Sequence, residues 1–364
     1  MPRARRPRQR HRHSLQRRIV GATGAGVDGE VDGEENGMFR AIVTRDDDGV
    51  VSKVEELDDT QLPEGDVTVR VEHSAINYKD GLCLTGKGRI VRTFPHVPGI
   101  DFAGTVEASD HADFAEGDPV VLTGWRVGEV HWGGLAQRAR VSGDWLLRCP
   151  DGLSSRDAAA AGTAGLTAAL AIREIEGRGC APGSGPVLVT GASGGVGSFA
   201  VAMLASRGHE VVASSGSPER SDYLRSIGAA EVIDREEVSG TIQKPLEKER
   251  WAGVVDTVGG PGVGRIATQV RYGAPVAAIG LPAGSRIEIE LITFFVRAVA
   301  LIGIDSVLAP NGVRREAWDM IASHVSADAF EALTTVHPLE AAPGLGASIL
   351  AGGIQGRAVI DVNA

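Results

Sequence analysis

A glycine-rich turn, Gly191–Gly197, contains the residues whose types and spacing point most directly to chemistry. It follows a short apolar run, Val187–Val189, and precedes an apolar stretch from Ser198 to Arg207 that predicts a helix. Glycines let a backbone approach a pyrophosphate closely, and the amides at a helix N-terminus bind its oxygens. The spacing G-x-x-G-G-x-G departs from the strict fingerprint, so the interpretation depends on the flanking strand and helix. We predict a dinucleotide-binding turn; the alternative is a glycine-rich helix–sheet contact without ligand.

The end of the next apolar run indicates which dinucleotide is expected. An NAD-specific unit usually places a carboxylate there to hold the ribose diol. This chain has Ser214–Ser217 at that place, then Arg220, and its first carboxylate is Glu219. Small hydroxyls and a guanidinium suit a ribose 2′-phosphate. We therefore predict NADPH (NADP+) over NADH, with a solvated helix residue as the alternative for Arg220.

The elements that must position these residues fall into two groups. From Phe39 to Leu122, short strands with Gly and Pro turns indicate a β-rich domain, to which the terminal run Arg357–Val362 is expected to return. Apolar runs with helices between them indicate a doubly wound parallel sheet. Six such runs are present: Val187–Val189, Val211–Ala213, Gly228–Asp234, Gly253–Val258, Ala274–Gly280 and Ala300–Ile304. An alanine-rich helix, Ser154–Glu176, is expected to be interrupted at Gly162–Gly165.

Composition limits the function classes. The 364 residues carry a net charge of −10, so neither a nucleic-acid surface nor a nucleic-acid partner is indicated. No apolar run approaches the ~18 residues needed to span a membrane, so we expect no membrane association. Three scattered cysteines give no disulfide framework, which favours the cytoplasm. Residues 1–37 are Arg-rich and then Gly- and acid-rich, and are predicted to be a disordered extension.

Several segments together carry a resemblance to a known family. They are Asn77–Asp80, Phe94–Gly104, Leu122–Gly134, Gly191–Ser198, Trp251–Gly259 and Ile354–Arg357. From Met38 onward the chain resembles the zinc-independent medium-chain dehydrogenase/reductase superfamily, in its acrylyl-CoA reductase (quinone oxidoreductase) branch. The resemblance implies an α/β fold: a GroES-like β-rich catalytic domain (residues 38–160 and 306–364) and a Rossmann NADPH-binding domain (residues 161–305).

No metal is expected. Zinc-dependent members of the superfamily have a Cys ligand and a Gly-His-Glu segment where this chain has Asn77–Asp80 and Gly99–Asp101. Three distant cysteines cannot build a structural site that needs four thiolates.

The resemblance also implies a set of site residues. Cofactor contacts would fall on Tyr78, Thr163, Ser193, Gly194, Gly195, Val196, Ser215, Gly216, Ser217, Leu281, Phe295 and Ser306, with Arg220 as the further candidate. For Leu281 and Phe295 the alternative is ordinary core packing. Where the family tends to have Ser-Gly-Arg, this chain has Ser217 in the third position, so Arg220 would have to replace the missing guanidinium.

The implied reaction is reduction of the α,β double bond of acrylyl-CoA, a 2-enoyl thioester, to propionyl-CoA. Hydride addition at the β-carbon leaves an enolate, which needs a hydrogen-bond donor at oxygen and a proton at the α-carbon. Tyr78 is the candidate acid, with Asn77 as an orienting neighbour; the alternative is that Tyr78 only packs and water donates. CoA phosphates would meet Lys87, Arg89 and Arg92 on one basic loop, unless these are simply solvated charges.

Two other functions stay open. An NADPH:quinone oxidoreductase would need a broad apolar pocket and no CoA phosphate grip, whereas a non-catalytic NADPH-binding protein would need neither Tyr78 nor turnover. The apolar sixth strand and residues 287–290 suggest pairing across a two-fold axis, and the resemblance favours a homodimer.

Overall fold

The computed structural model describes residues 37–364, so the predicted extension over residues 1–37 lies outside the described residues apart from its last glycine. Residues 37–364 form 15 β-strands and nine α-helices. The strands are β1 (Met38–Asp46), β2 (Val50–Asp58), β3 (Val67–Ala75), β4 (Asp101–Ser109), β5 (Pro119–Thr123), β6 (Arg138–Val141), β7 (Leu146–Arg148), β8 (Val187–Thr190), β9 (Val211–Ser215), β10 (Glu231–Asp234), β11 (Gly253–Asp256), β12 (Pro275–Ala278), β13 (Ala300–Gly303), β14 (Thr334–Pro338) and β15 (Arg357–Asp361). The helices are α1 (Tyr78–Thr85), α2 (Ser155–Glu176), α3 (Gly195–Ser206), α4 (Ser221–Ser226), α5 (Pro261–Gln269), α6 (Leu291–Arg297), α7 (Asn311–His324), α8 (Ala327–Leu333) and α9 (Ala342–Leu350).

Six strands form a parallel sheet in the order β10-β9-β8-β11-β12-β13. Every residue of β8 is buried, as expected for a strand covered by helices on both faces. The chain moves outward from β8 in one direction through β9 and β10, and in the other through β11 to β13. The carboxyl ends of β8 and β11 therefore flank the switch point, where such sheets bind ligands. The predicted doubly wound parallel sheet is confirmed.

A second, mainly antiparallel sheet runs β14-β15-β3-β4-β5-β7, with β6 also paired to β3. Its strand β15 comes from the end of the chain and pairs with β3, so the C-terminal segment does return to the β-rich part as predicted. Several backbone hydrogen bonds join the hairpin β1–β2 to the rest of the fold, among them one from the Ile42 amide to the Leu135 carbonyl at 2.8 Å and one from the Thr44 amide to the His96 carbonyl at 2.8 Å.

Helix α2 connects the two sheets. Its side chains at Ala158–Ala161 are buried, and the helix contacts β3 and β4 of one sheet and β11 and β12 of the other. Small alanine side chains allow this close approach. The helix bends at Gly162, where φ is +42° and ψ is −144°, so the predicted interruption is confirmed.

The seven-stranded sheet takes its strands from residues 67–148 and 334–361, and the parallel sheet from residues 187–303. The predicted domain limits, 160/161 and 305/306, separate these sets of strands but cut through α2, and they stay a prediction. Among residues 37–364, no helix is both long enough and apolar enough to cross a bilayer.

Candidate active site

Two hollows lie along the carboxyl ends of the parallel strands. The inner cavity, of about 520 Å³, lies between α1, the bend of α2 and the loops after β12 and β13. The outer groove, of about 170 Å³, lies over the glycine turn and the end of β9. The inner cavity is lined by Asn77, Tyr78, Lys79, Leu82, Ile90, Ile100, Gly124, Val127, Glu129, Thr163, Ala164, Thr167, Val196, Thr257, Ile279, Gly280, Leu281, Pro282, Ile304, Asp305, Ser306 and Val307. Thr257 lines the inner cavity and Val258 the outer groove, so the two hollows meet beside the end of β11.

The glycine turn lies where β8 passes into α3. Gly191 has φ +56°, and a Cβ there would lie 2.4 Å from the Thr257 hydroxyl oxygen. A Cβ on Gly197 would lie 2.4 Å from the Gly191 carbonyl oxygen, so the turn can close this tightly only with glycine at both positions. Gly194 caps α3, and a Cβ built there has no neighbour nearer than 3.4 Å. The turn therefore exposes backbone at a helix N-terminus, the arrangement that suits a pyrophosphate.

The end of β9 forms the other part of the outer groove. Ser215 and Gly216 line the groove, and the Ser217 amide donates to the Ser215 hydroxyl at 3.2 Å. Arg235, which follows β10, also lines the groove, and a Cβ on Gly216 would lie 2.6 Å from its Cδ. The guanidinium beside the serines is thus Arg235, which reasoning from sequence missed. Its signal was its place directly after the third parallel strand, next to the end of the second.

Arg220 points toward the glycine turn. Its guanidinium donates to the Ser193 hydroxyl at 3.3 Å and to the Gly352 carbonyl at 3.1 Å. Arg220 therefore lies beside the predicted pyrophosphate site, whereas our prediction placed it at the 2′-phosphate.

Helix α1 brings Tyr78 into the inner cavity. Asn77 is the N-cap of this helix, and its amide donates to Asp80 at 2.9 Å, so α1 begins at Tyr78 itself. The Tyr78 side chain is 42% exposed. Tyr78 lines the inner cavity and is partly exposed, so its hydroxyl is accessible to a ligand.

The Asn77 side chain, by contrast, is occupied. Its Nδ2 donates to Asp101 at 2.8 Å, and its Oδ1 accepts from Arg357 at 3.0 Å. Asn77 is also buried. Its contacts therefore suit a residue that fixes the start of α1 better than one that binds substrate directly.

Below Asn77 lies a buried ionic cluster, which we define as Asn77, Asp80, Asp101 and Arg357. Arg357 also donates to the Ala160 carbonyl at 2.7 Å, and its Nη2 lies 3.5 Å from Asp101. Burial, and then the Asp101 carboxylate, raise the pKa of Asp80 to about 6. Burial also raises the pKa of Asp101, against the opposing effect of Arg357. Asp101 thus lies at ion-pair distance from the buried guanidinium, while the Asp80 carboxylate accepts from the amides of Asn77, Gly99 and Ile100.

The bend of α2 is shaped by this cluster. A Cβ on Gly162 would lie 2.4 Å from the Asp101 carboxylate. The bend lets the Thr163 amide donate to Asp101 at 2.9 Å, and the Thr163 hydroxyl donates to the same carboxylate. Thr167 links the Thr163 carbonyl to Ser306, at 2.6 Å and 2.8 Å. Thr163 and Ser306, both predicted as cofactor contacts, line the inner cavity, and their contact with a cofactor stays a prediction.

One ion pair crosses the lining of the inner cavity. Lys79 Nζ lies 2.7 Å from Glu129 Oε1, and the Glu129 side chain is largely buried. Glu129 was not singled out in the sequence, since an isolated Glu in a loop gives no signal.

The remaining predicted residues differ in whether they reach the inner cavity. Leu281 lines the inner cavity although its side chain is mostly exposed. Phe295 is 67% exposed on α6 and lines neither hollow. Lys87, Arg89 and Arg92 are exposed, and the loop reaches the inner cavity through Ile90.

The fold and the hollows define an oxidoreductase scaffold in which a β-rich unit faces a dinucleotide-type sheet. Residues 63–151 match the family model of the alcohol dehydrogenase GroES-like domain, and residues 195–323 match that of zinc-binding dehydrogenases. The chain is 52% identical to acrylyl-CoA reductase AcuI of Ruegeria pomeroyi, over 90% of this chain and 100% of the relative. It therefore belongs to the medium-chain dehydrogenase/reductase superfamily.

Two solved structures resemble the whole described fold. The YhdH oxidoreductase of Salmonella enterica, in complex with NADP, gives a TM-score of 0.87 at 46% identity, over 89% of this chain and 99% of that one. The YhfP protein of Bacillus subtilis, with NAD bound, gives a TM-score of 0.86 at 42% identity, over 90% of this chain and all of the other.

The name of the second family model raises the question of zinc. In the segments that would correspond to the zinc-ligand segments, Asn77–Asp80 and Gly99–Asp101, the side chains of Asn77, Asp80 and Asp101 are already bonded to their neighbours. No group of three His, Cys, Asp or Glu side chains in the described part of the chain could hold a metal ion. These residues do not fit a zinc site.

Proposed function

We propose that this protein is an NADPH-dependent reductase of acrylyl-CoA, which it converts to propionyl-CoA. The observation that carries the proposal is the placement of Tyr78, with its hydroxyl available, in the cavity that also contains Val196 of the glycine turn. The volume of about 520 Å³ falls in the range of small-molecule sites. The likeness to the Ruegeria acrylyl-CoA reductase over its full length supports the substrate.

The outer groove supports NADPH as the cofactor. Ser193, Gly194, Gly195 and Val196 would hold the pyrophosphate, and Ser215, Gly216 and Ser217 the ribose 2′-phosphate together with Arg235. A guanidinium and hydroxyl groups suit a phosphate, and among the residues lining the groove the carboxylate, Asp256, is itself bonded to Thr190 and Gly259. The groove residues therefore favour NADPH, even though the YhfP structure contains NAD.

The residues of the inner cavity have separate tasks in this reaction. Bound NADPH supplies the hydride for the β-carbon of the substrate. Tyr78 donates a proton at the α-carbon, or orients the water that does so. The N-terminus of α1 carries a partial positive charge that would favour the developing enolate oxygen. Asn77 and the ionic cluster keep Tyr78 in place, and Thr163 and Ser306 complete the wall.

We further propose that Lys87, Arg89 and Arg92 bind the CoA phosphates. These cations are exposed, and the residue between them, Ile90, lines the inner cavity, so the loop lies at the entrance. In a chain of net charge −10 a basic entrance would attract an anionic substrate. Replacing Arg89 and Arg92 by Ala should raise the KM for acyl-CoA.

Reduction of quinones is the second candidate. YhfP, 43% identical over 89% of this chain, carries the name of a quinone oxidoreductase, and much of the inner cavity is apolar. The test is NADPH and NADH oxidation with acrylyl-CoA, crotonyl-CoA and a benzoquinone. We expect turnover with NADPH and acrylyl-CoA; turnover with the quinone alone would overturn the proposal, and NADPH binding without turnover would indicate a non-catalytic protein.

The assembly and compartment are also proposals. β13 is an edge strand of the parallel sheet and α6 exposes Leu291 and Phe295, which would suit a homodimer formed across that edge. Light scattering after gel filtration should give twice the chain mass. The cysteines Cys83, Cys149 and Cys180 are free thiols, in keeping with the cytoplasm.

A further inference from the structure

Arg314 of α7 is buried, and all three nitrogens of its guanidinium donate hydrogen bonds. Its side chain is 1% exposed. Nε donates to the Ala309 carbonyl at 2.7 Å, and Nη2 donates to the carbonyls of Ser306 and Val307 at 2.7 and 2.8 Å. Nη1 donates to the carbonyl and the hydroxyl of Thr123, both at 3.0 Å. All five N–H groups of the side chain therefore have a partner.

These partners belong to two different parts of the fold. Thr123 ends β5 of the antiparallel sheet, while Ser306–Ala309 follows β13 of the parallel sheet. The next residue along the first segment, Gly124, lines the inner cavity, and so do Ser306 and Val307. Arg314 thus joins two adjoining segments of the cavity lining from behind.

The wall on the Thr123 side has an unfavourable backbone. Gly124, Trp125, Arg126 and Gly128 all have positive φ, between +53° and +79°. For Trp125 and Arg126 this conformation costs about 1–2 kcal/mol each, so neighbouring contacts must hold it. The Trp125 amide donates to the Val307 carbonyl at 2.9 Å, and the Arg314 guanidinium lies over the Trp125 ring, 4.9 Å from its centre.

The packing around Gly124 is too tight for another side chain to replace these contacts. A Cβ on Gly124 would lie 2.6 Å from Arg314 Nη2 and 2.7 Å from the Val307 carbonyl. Within residues 37–364 no carboxylate lies within ion-pair distance of Arg314. Burial lowers its pKa to about 10, so the side chain stays charged at neutral pH. Its charge is therefore balanced by backbone and hydroxyl oxygens, which would themselves lose their donor without it.

We propose that Arg314 is a positioning residue that holds the loop after β5 against residues 306–309 in the lining of the inner cavity and thereby favours a small enoyl thioester over bulkier acceptors. The role in selectivity rests on the proposed function. The loop it holds carries Val127 and Glu129 into the cavity lining, so movement of this loop changes the space beside Tyr78. Arg314 itself does not line the cavity and takes no part in the chemical step.

The test compares Arg314→Lys, which keeps the charge and loses the fork, with Thr123→Val, which keeps the shape and removes one acceptor. Arg297→Lys is the matched control, because Arg297 is also buried and donates to the carbonyls of Val270 and Glu247, and none of these three residues lines the cavity. Two readouts are needed. One is kcat/KM for crotonyl-CoA relative to acrylyl-CoA; the other is hydrogen–deuterium exchange of residues 124–128, which requires no activity.

For Arg314→Lys we expect the ratio to move about tenfold toward crotonyl-CoA, mostly through the KM for acrylyl-CoA, with faster exchange in residues 124–128. Thr123→Val should change the kcat/KM ratio and the exchange rate in the same direction by a smaller factor. Arg297→Lys should change neither the ratio nor the exchange rate. An unchanged ratio with unchanged exchange in Thr123→Val, or equal changes in Arg297→Lys, would overturn the proposal. If the wild-type protein does not reduce acrylyl-CoA, only the proposed function is contradicted. Hydrogen–deuterium exchange of residues 124–128 still tests whether Arg314 holds this loop in place. If Arg314→Lys does not fold, Thr123→Val decides.

Discussion

The outer groove and the inner cavity, which we call the nucleotide side and the reaction side, are built in different ways. The glycine turn of the nucleotide side is local: seven consecutive residues, Gly191–Gly197, form it, and it would offer backbone amides to a pyrophosphate. The reaction side is long-range: Asn77, Asp101 and Arg357 come from distant parts of the chain and are held by buried charges. The nucleotide side should therefore tolerate side-chain changes with losses in binding, while the reaction side should lose stability when one charge is removed.

The largest effect is expected for Arg357→Met. Removing one partner of a buried ionic group typically costs about 3–5 kcal/mol, because the remaining charges lose their counterion. Denaturant unfolding at pH 7 should show a loss of that order. Arg225→Met breaks an exposed pair with Asp222 and should cost far less. Equal losses in the two variants would contradict the importance of the cluster.

The cluster should also make stability depend on pH. The pKa of Asp80 is raised to about 6 in the folded chain, against an ordinary value of 3.8, so its ionisation opposes folding. The penalty is absent below about pH 4, grows as pH rises to 6, and then stays constant, reaching about 3 kcal/mol. The stability of wild type relative to Asp80→Asn should therefore fall by about that amount from pH 4 to pH 7. A difference that does not change with pH would contradict the shift.

Tyr78 lines the inner cavity, and its replacement should affect catalysis more than stability. Tyr78→Phe removes the hydroxyl and keeps the ring, so kcat should fall by about 100-fold if Tyr78 donates the proton. The Kd for NADPH should change little, and the free energy of unfolding should stay the same. Tyr272→Phe, on an exposed side chain outside both hollows, is the control. An unchanged kcat would indicate that Tyr78 packs only and that water donates.

The nucleotide side is expected to show the smallest effects, and they should be selective. Arg235→Ala should weaken NADPH binding by about tenfold or more and leave NADH binding almost unchanged, because a charged contact to the 2′-phosphate is worth about 1.5–3 kcal/mol and each ~1.4 kcal/mol is a factor of ten in Kd. Arg220→Ala should weaken both cofactors, since Arg220 contacts Ser193 beside the pyrophosphate site. Titration with both nucleotides checks this; equal weakening of NADPH and NADH by Arg235→Ala would move that residue away from the 2′-phosphate.

The difference between a local glycine turn and a long-range ionic cluster also explains which features could be predicted from the sequence. The parallel sheet, the glycine turn and the bend at Gly162 follow from local patterns of glycines and apolar runs, and the return of β15 follows from the central place of the dinucleotide unit in the chain. The ionic cluster could not be predicted, because a buried Asp80 or Asp101 looks like any surface carboxylate in the sequence. Arg235 and Glu129 were missed for a related reason: only the fold brings them next to Gly216 and Lys79.

Reduction of acrylyl-CoA in D2O tests the proposed reaction most directly. The protein is incubated with unlabelled NADPH and acrylyl-CoA, and the product is analysed by mass spectrometry and NMR. We expect propionyl-CoA with one deuterium at the α-carbon and none at the β-carbon, because the β-hydrogen comes from NADPH and the α-proton from an exchangeable group such as Tyr78. Deuterium at the β-carbon, or NADPH oxidation without propionyl-CoA, would contradict it.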